Sequence, residues 1–224
     1  MEGRKIIITK KEDSVMHKEG VMKVFNIEGK RIPFAQQKTP ANCGPLSISN
    51  GINALSGVNE KFEIPKDFPS SSDGIRKLLS ENTELRRSYL GIESSEEIKS
   101  DSYPLKGEHF ANIIKKLIFE KKAHLRINAN RFGKAGHVDS KDFNERVLGS
   151  DWLILHKGYH YKSFVKLDED KWVLVDSMND APILIDVKNI QKDFETIIGK
   201  DGQVPMYMAM KVVENKPILF TKKT

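Results

Sequence analysis

Two hydrophobic spacings alternate along the chain. Ile48, Ile52 and Leu55 recur at i, i+4 and i+7, the spacing of a helix face. Pro45 suits the first turn of that helix, where its missing N–H costs nothing, and Gly57 reads as its stop. Phe110, Ile113, Ile114, Leu117 and Ile118 share one face of an amphipathic helix over 107–121, whose charged side ends in Lys121-Lys122. Asp73 reads as the cap of a helix running to about Ser80, with Ile75, Leu78 and Leu79 on its apolar face. A further helical turn or two is expected over 82–90, a short helix over 140–148 and another helix over 187–198.

Strand patterns occupy the two ends of the chain. Residues 5–9, 22–27 and 31–34 read as strands, the last two flanking the turn Glu28-Gly29-Lys30. Residues 123–128 alternate. Residues 151–156, 159–167 and 171–175 are strands separated by the turns Lys157-Gly158 and Asp168-Glu169-Asp170. Segments 182–186, 205–213 and 217–220 complete the set. Between the elements, 58–72 reads as a linker with Pro65, Pro69 and Ser70 to Ser72. Residues 91–106 are polar and irregular, and 129–139 reads as a loop. Helices first and an antiparallel sheet afterwards is an α+β layout.

At 224 residues the chain is long enough to bury a full core, and we read it as a single domain. Its parts are N-terminal strands (1–35), a helical part (36–150) and a β-sheet part (151–224). Ser47, Ser49, Gly51 and Ala54 would let neighbouring elements approach the first helix closely, which suits a central, buried helix. A hydrophobic content of 38% with 30% charged residues fits a well-solvated globular protein. No apolar run approaches membrane-spanning length, and the apolar stretch at the N-terminus is too short for a signal peptide. The net charge of +6 is spread among acidic residues, with no long basic block and no nucleic-acid motif. The expectation is a cytoplasmic protein with no membrane span and no nucleic-acid partner.

The candidate chemistry centres on Cys43, the single cysteine in the sequence, which excludes an internal disulfide. A lone cysteine is more often a buried apolar residue than a nucleophile. Its setting changes that balance. Cys43 falls at the start of the first helix, where unpaired N–H groups and the positive dipole end favour a thiolate. Gln37, six residues upstream, is placed to donate an amide N–H to an oxyanion beside the sulfur, with Gln36 the less well-placed rival. His160 and Asp176 lie sixteen residues apart on strands joined by the 168–170 turn, so antiparallel pairing sets them nearly opposite one another. A carboxylate beside an imidazole fixes its tautomer and steadies the imidazolium, and an imidazole near such a thiol activates it. His156 falls on the preceding strand and could line the same cleft, whereas His17, His109, His124 and His137 read as surface or structural. With one cysteine and no Cys-x-x-Cys spacing, neither a metal nor a cofactor is expected.

The run Gln37…Asn42-Cys43-Gly44-Pro45, followed by a small-residue helix and Gly57, resembles the nucleophile segment of papain-like-fold cysteine peptidases, C39-like peptidases above all. Trp152 to His156, leading through Gly158-Tyr159-His160 to Asp176, resembles the histidine and aspartate strands of the same family. His160 to Val165 followed by Trp172 to Ser177 is also similar to Josephin-type deubiquitinases. The resemblance covers 33–57 and 150–180, in the chain order Cys, His, Asp; residues 58–150 carry none. Ser177 stands where C39-like members often have proline. The resemblance implies a papain-like fold, with a central nucleophile helix packed on a C-terminal antiparallel sheet. It implies cysteine-type peptidase activity on a peptide or isopeptide bond, carried by Cys43, His160, Asp176 and Gln37. The partner would be a protein or peptide substrate, a ubiquitin-like protein included. The alternatives are a deubiquitinase-like isopeptidase, an acyl transferase on the same triad, or a catalytically silent binding or effector module.

Overall fold

The computed structural model describes residues 11–17, 20–83, 107–120, 123–130, 141, 143–157, 159–198 and 206–213. Three strands open the fold: β1 (Lys11–His17), β2 (Gly20–Ile27) and β3 (Lys30–Phe34), paired antiparallel in the order β1-β2-β3. Glu28 and Gly29 both take positive φ, 50° and 81°, between Ile27 and Lys30. That is the hairpin turn whose twist matches the strands. The expected strand at 5–9 lies outside the described residues, and β1 was not expected, because Lys11 to His17 carries no clean alternation.

Helix α1 (Cys43–Val58) follows a single 3₁₀ turn at Pro40–Asn42. Next come α2 (Ser72–Glu81), α3 (Gly107–Glu120) and β4 (Leu125–Asn130). The remainder is β5 (Trp152–Lys157), β6 (His160–Lys166), β7 (Lys171–Val175), β8 (Ile183–Asp186), α4 (Val187–Ile198) and β9 (Met206–Val212). Strands β4 to β9 form a six-stranded antiparallel sheet in the order β4-β9-β5-β6-β7-β8. The architecture is α+β.

The large sheet is buried on both faces, so its central strands read as nearly continuous apolar runs. Trp152, Ile154, Tyr161, Val165, Val173, Val175, Met208 and Met210 belong to the core shared with α1, α2, α3 and the small sheet. Leu153, Leu155, Phe164, Trp172, Tyr207 and Ala209 join a second core with Ile190 and Phe194 of α4 and with Phe143 and Val147. This split follows the two-residue period of a strand.

Helix α1 lies between the small sheet and the large one, touching β3 on one side and β5, β6 and β7 on the other. Fourteen of its sixteen residues are buried. Its small residues make that possible. A methyl on Gly51 would collide with the Trp152 indole, and one on Gly57 with the Arg31 carbonyl. Gly57 is therefore a packing residue and not the expected stop. The helix runs on to Val58, and the Asn59 N–H closes it on the Leu55 carbonyl at 2.9 Å.

Other expectations also shift. Ser71 caps α2, its Oγ accepting the Gly74 N–H at 3.0 Å, whereas Asp73 falls inside the first turn. The 58–72 connection is no free linker, since Phe62 and Phe68 are buried in the core. Phe143–Val147 is one π turn where a short helix was expected, and Asn130 extends β4 into the expected loop. The expectations for 84–90, 91–106, 131–139 and 217–220 lie outside the described residues.

Gly51 separates two opposed effects. Alanine in a helix interior gains about 1 kcal/mol over glycine. The new methyl would meet an indole that is fully buried and hydrogen-bonded through Nε1 to Ser163 at 3.3 Å, so it has little room to yield. Overpacking costs about 1–3 kcal/mol and should win. Gly51→Ala is expected to melt below wild type in a thermal denaturation followed by circular dichroism; an equal or higher melting temperature would contradict this packing.

Candidate active site

Each expected site residue is delivered by a different element. Cys43 opens α1 and is 6% exposed. His160 begins β6, and Asp176 follows directly on β7. The observed ladder pairs Ser163 with Val175 and Lys166 with Trp172. Carried one step further it sets Lys162 opposite Asp176, so His160 and Asp176 are diagonal neighbours and not directly opposed. The diagonal is short enough for a strong contact: His160 Nε2 lies 2.6 Å from Asp176 Oδ1. The same register brings Lys162 Nζ to 3.6 Å from Asp176 Oδ2.

With Nε2 taken by Asp176, Nδ1 is the ring nitrogen left for the Cys43 thiol. The thiol also points at the Tyr159 carbonyl, 3.9 Å from Sγ. Burial by itself pushes the His160 pKa down. Hydrogen bonds to Asp176 and Cys43, together with the charges on both, outweigh burial and raise it to about 9. Asp176 is 6% exposed, and burial would raise its pKa. Hydrogen bonds from His160 and the Met178 N–H, the latter at 3.0 Å, and the charges of His160 and Lys162 hold it below its ordinary value. His160 is thus held as an imidazolium and Asp176 as a carboxylate. His156 responds the other way: burial, then the charge of His160, lowers its pKa and keeps it neutral. Its ring meets Tyr161 at a tilt, with centroids 4.3 Å apart, and Tyr161 in turn stacks on Phe110 of α3 at 4.3 Å.

Gln37 reaches the same place through Ser177. Its backbone N–H donates to the Ser177 carbonyl at 2.9 Å, and the Ser177 hydroxyl donates to Gln37 Oε1 at 2.8 Å. With the amide oxygen engaged, the Nε2 group is the end left to donate. Gln36 is instead tied to Asp180, Nε2 to Oδ1 at 2.9 Å. The loop that carries both glutamines is pinned to α1 by Asn50, which accepts from the Ala35 N–H at 3.0 Å and donates to the Ala35 carbonyl at 2.9 Å. The structure therefore brings Cys43, His160 and Asp176 together and fixes Gln37 to Ser177, the residue after Asp176.

Sequence reasoning missed the supports. Ser177 drew notice only as a departure from a family pattern. Asn50 could have been flagged, because a polar side chain on a buried helix has to find a partner. Lys162 follows from the strand register once the turn is known. The two large apolar side chains that stand exposed among the described residues are Tyr159 at 100% and Met178 at 62%, one beside the histidine and one beside the aspartate. Among the described residues no group of three or more His, Cys, Asp or Glu side chains is arranged to hold a metal, and no helix is long and apolar enough to cross a membrane. In comparisons with known proteins, the chain matches no protein-family model and no curated protein.

The His160–Asp176 pair should leave a mark on stability. The pKa of His160 is raised from 6.5 on folding, so its contribution is complete below pH 6.5 and is lost as the pH rises through about 9. The pKa of Asp176 is lowered from 3.8, so its contribution is complete above pH 3.8 and is lost as the pH falls below that. The gap in melting temperature between wild type and Asp176→Asn should be widest between these limits and should shrink above pH 9. A gap that stays constant from acid to alkaline pH would contradict the pairing.

Proposed function

We propose that this protein is a thiol hydrolase of papain-like fold that cleaves a peptide or isopeptide bond. One observation carries the reading: the Cys43 thiol, the His160 imidazole and the Asp176 carboxylate form a single hydrogen-bonded chain, with the imidazole held charged. The resemblance of 33–57 and 150–180 to papain-like cysteine peptidases supports it, as does the position of Cys43 at the start of a buried helix.

In this mechanism the proton held on His160 is the one Cys43 has given up, Sγ attacks the substrate carbonyl carbon as the thiolate, and the carbonyl π electrons move to oxygen. The Gln37 amide and the Cys43 backbone N–H hold that oxyanion. Collapse expels the amine, which takes its proton from His160, and leaves a thioester on Cys43. His160, now neutral, accepts a proton from water as the water attacks the thioester. The acid product departs, and the Cys43–His160 pair is restored. Asp176 keeps the ring oriented and its positive charge compensated throughout. Tyr159 and Met178 flank the approach and offer apolar contact to a substrate side chain next to the scissile bond.

Cys43→Ala should abolish both hydrolysis and labelling by a peptide-aldehyde or ubiquitin-aldehyde probe. The arm of the panel that labels wild type separates peptide from isopeptide substrates, and amine incorporation without net hydrolysis would indicate acyl transfer instead. Wild-type Cys43 that labels no faster than a free thiol would overturn the reading.

Gln37→Ala should lower kcat by about 100–1000-fold, the usual loss of one oxyanion donor, with KM little changed. A rise in KM at constant kcat would assign Gln37 to ground-state binding instead.

A further inference from the structure

Arg76 is 4% exposed on α2, beside the buried Ile75 and Leu79. A buried guanidinium is costly to desolvate and is retained only where its donors meet well-placed acceptors. Two of them do so on the chain immediately before Cys43. Nε donates to Asn42 Oδ1 at 2.9 Å, and Nη2 donates to the Ala41 carbonyl at 3.1 Å. The planar fork thus spans the last two residues ahead of the thiol.

The contact with Asn42 has a second effect. Asn42 is the residue that precedes α1, where an asparagine side chain ordinarily accepts an N–H from the first helical turn. Here it makes no such bond, and its carbonyl oxygen faces Arg76 instead. Pro45, in the same turn, has no N–H to offer. The side chain before Cys43 is therefore bonded across to α2 and does not cap its own helix. Helix α2 is itself fixed to α1, because Asn53 Nδ2 donates to the Ser70 carbonyl at 2.8 Å, one residue before the α2 cap.

Resting on the function proposed above, we propose that Arg76 is a positioning residue for the nucleophile. It holds Ala41 and Asn42 in place, which keeps Cys43 within hydrogen-bonding reach of His160. Lysine cannot replace it, since a single ammonium on a flexible stem does not span two acceptors in a fixed plane. A displacement of about 1 Å at a reacting group can cost about 100-fold in rate.

The test reads thiol reactivity, which needs no knowledge of the substrate. Arg76→Lys keeps the charge and loses the fork; Asn42→Ala keeps the arginine and removes one acceptor. Alkylation of Cys43 by iodoacetamide is followed from pH 5 to pH 9 in wild type and both variants, alongside thermal melts. The expected result is a fall of about 10- to 100-fold in the rate near pH 6 and a pH profile moved toward that of a free thiol, in variants that still melt cooperatively. Variants that lose melting temperature but alkylate at the wild-type rate at every pH would make Arg76 a structural strut and overturn the proposal. If Arg76→Lys does not fold, Asn42→Ala decides alone by the same criteria. Wild-type protein that alkylates no faster than a cysteine in a short peptide would overturn the proposed function and this inference with it, whereas a fast wild type with equally fast variants would overturn this inference alone.

Discussion

The burial of α1 is the constraint from which the rest of the arrangement follows. A helix enclosed between two sheets has no water to satisfy its polar groups, and an unpaired buried group costs about 1–3 kcal/mol. Each polar side chain on α1 must therefore meet a specific partner. Asn50 meets both backbone groups of Ala35, Asn53 meets the Ser70 carbonyl, and Ser47 Oγ turns back to the Gly44 carbonyl at 2.7 Å. The Ser47 carbonyl receives the Ser163 hydroxyl of β6 at 2.6 Å. Apart from the Ser47 hydroxyl, which bonds within α1, each of these groups ties a neighbouring element to the helix in a single register. Ser163 stands three residues from His160, and Ala35 two from Gln37, so the bonds that satisfy the buried helix also locate the candidate site.

The charged groups follow the same logic at higher stakes. Asp176 is as buried as Cys43, and a carboxylate there is tolerable only with donors around it. It receives the His160 ring and the Met178 N–H on one oxygen and faces Lys162 on the other. His160 is half-buried and keeps its proton because its contacts with Asp176 and Cys43 outweigh the cost of burial. The two residues stabilise each other's charged form, which neither environment would support alone. His156 faces the same core without a carboxylate and stays neutral. Two histidines four residues apart thus sit on opposite sides of neutral pH because one has an anion beside it, whereas the other has burial and the positive charge of the first against it.

Local pattern was a good guide wherever one face of an element met one kind of surroundings. The strands of the large sheet, α3 and α4 lie close to their expected bounds, because apolar periodicity directly reflects which side is covered. It failed at boundaries set by a neighbour. Gly57 looks like a helix stop, yet it is small because the Arg31 carbonyl passes it. Residues 58–72 look like a linker because prolines and serines dominate, yet Phe62 and Phe68 anchor the segment in the core. Helix α2 is capped by Ser71 and not Asp73, a choice between two good capping residues two positions apart that composition does not make.

By itself, the sequence determined the α+β layout, the helix with Cys43 at its start, and a hairpin long enough to bring residues 160 and 176 near each other. These depend on spacing along one segment, and spacing is written in the chain. Tertiary structure decided the diagonal register of His160 and Asp176, the clasp of Ser177 on Gln37, and the reach of Arg76 across to Asn42. Those contacts join residues 16, 140 and 34 positions apart. No local pattern encodes them, because they exist only once two separately formed elements have packed and their buried polar groups have been forced to find one another.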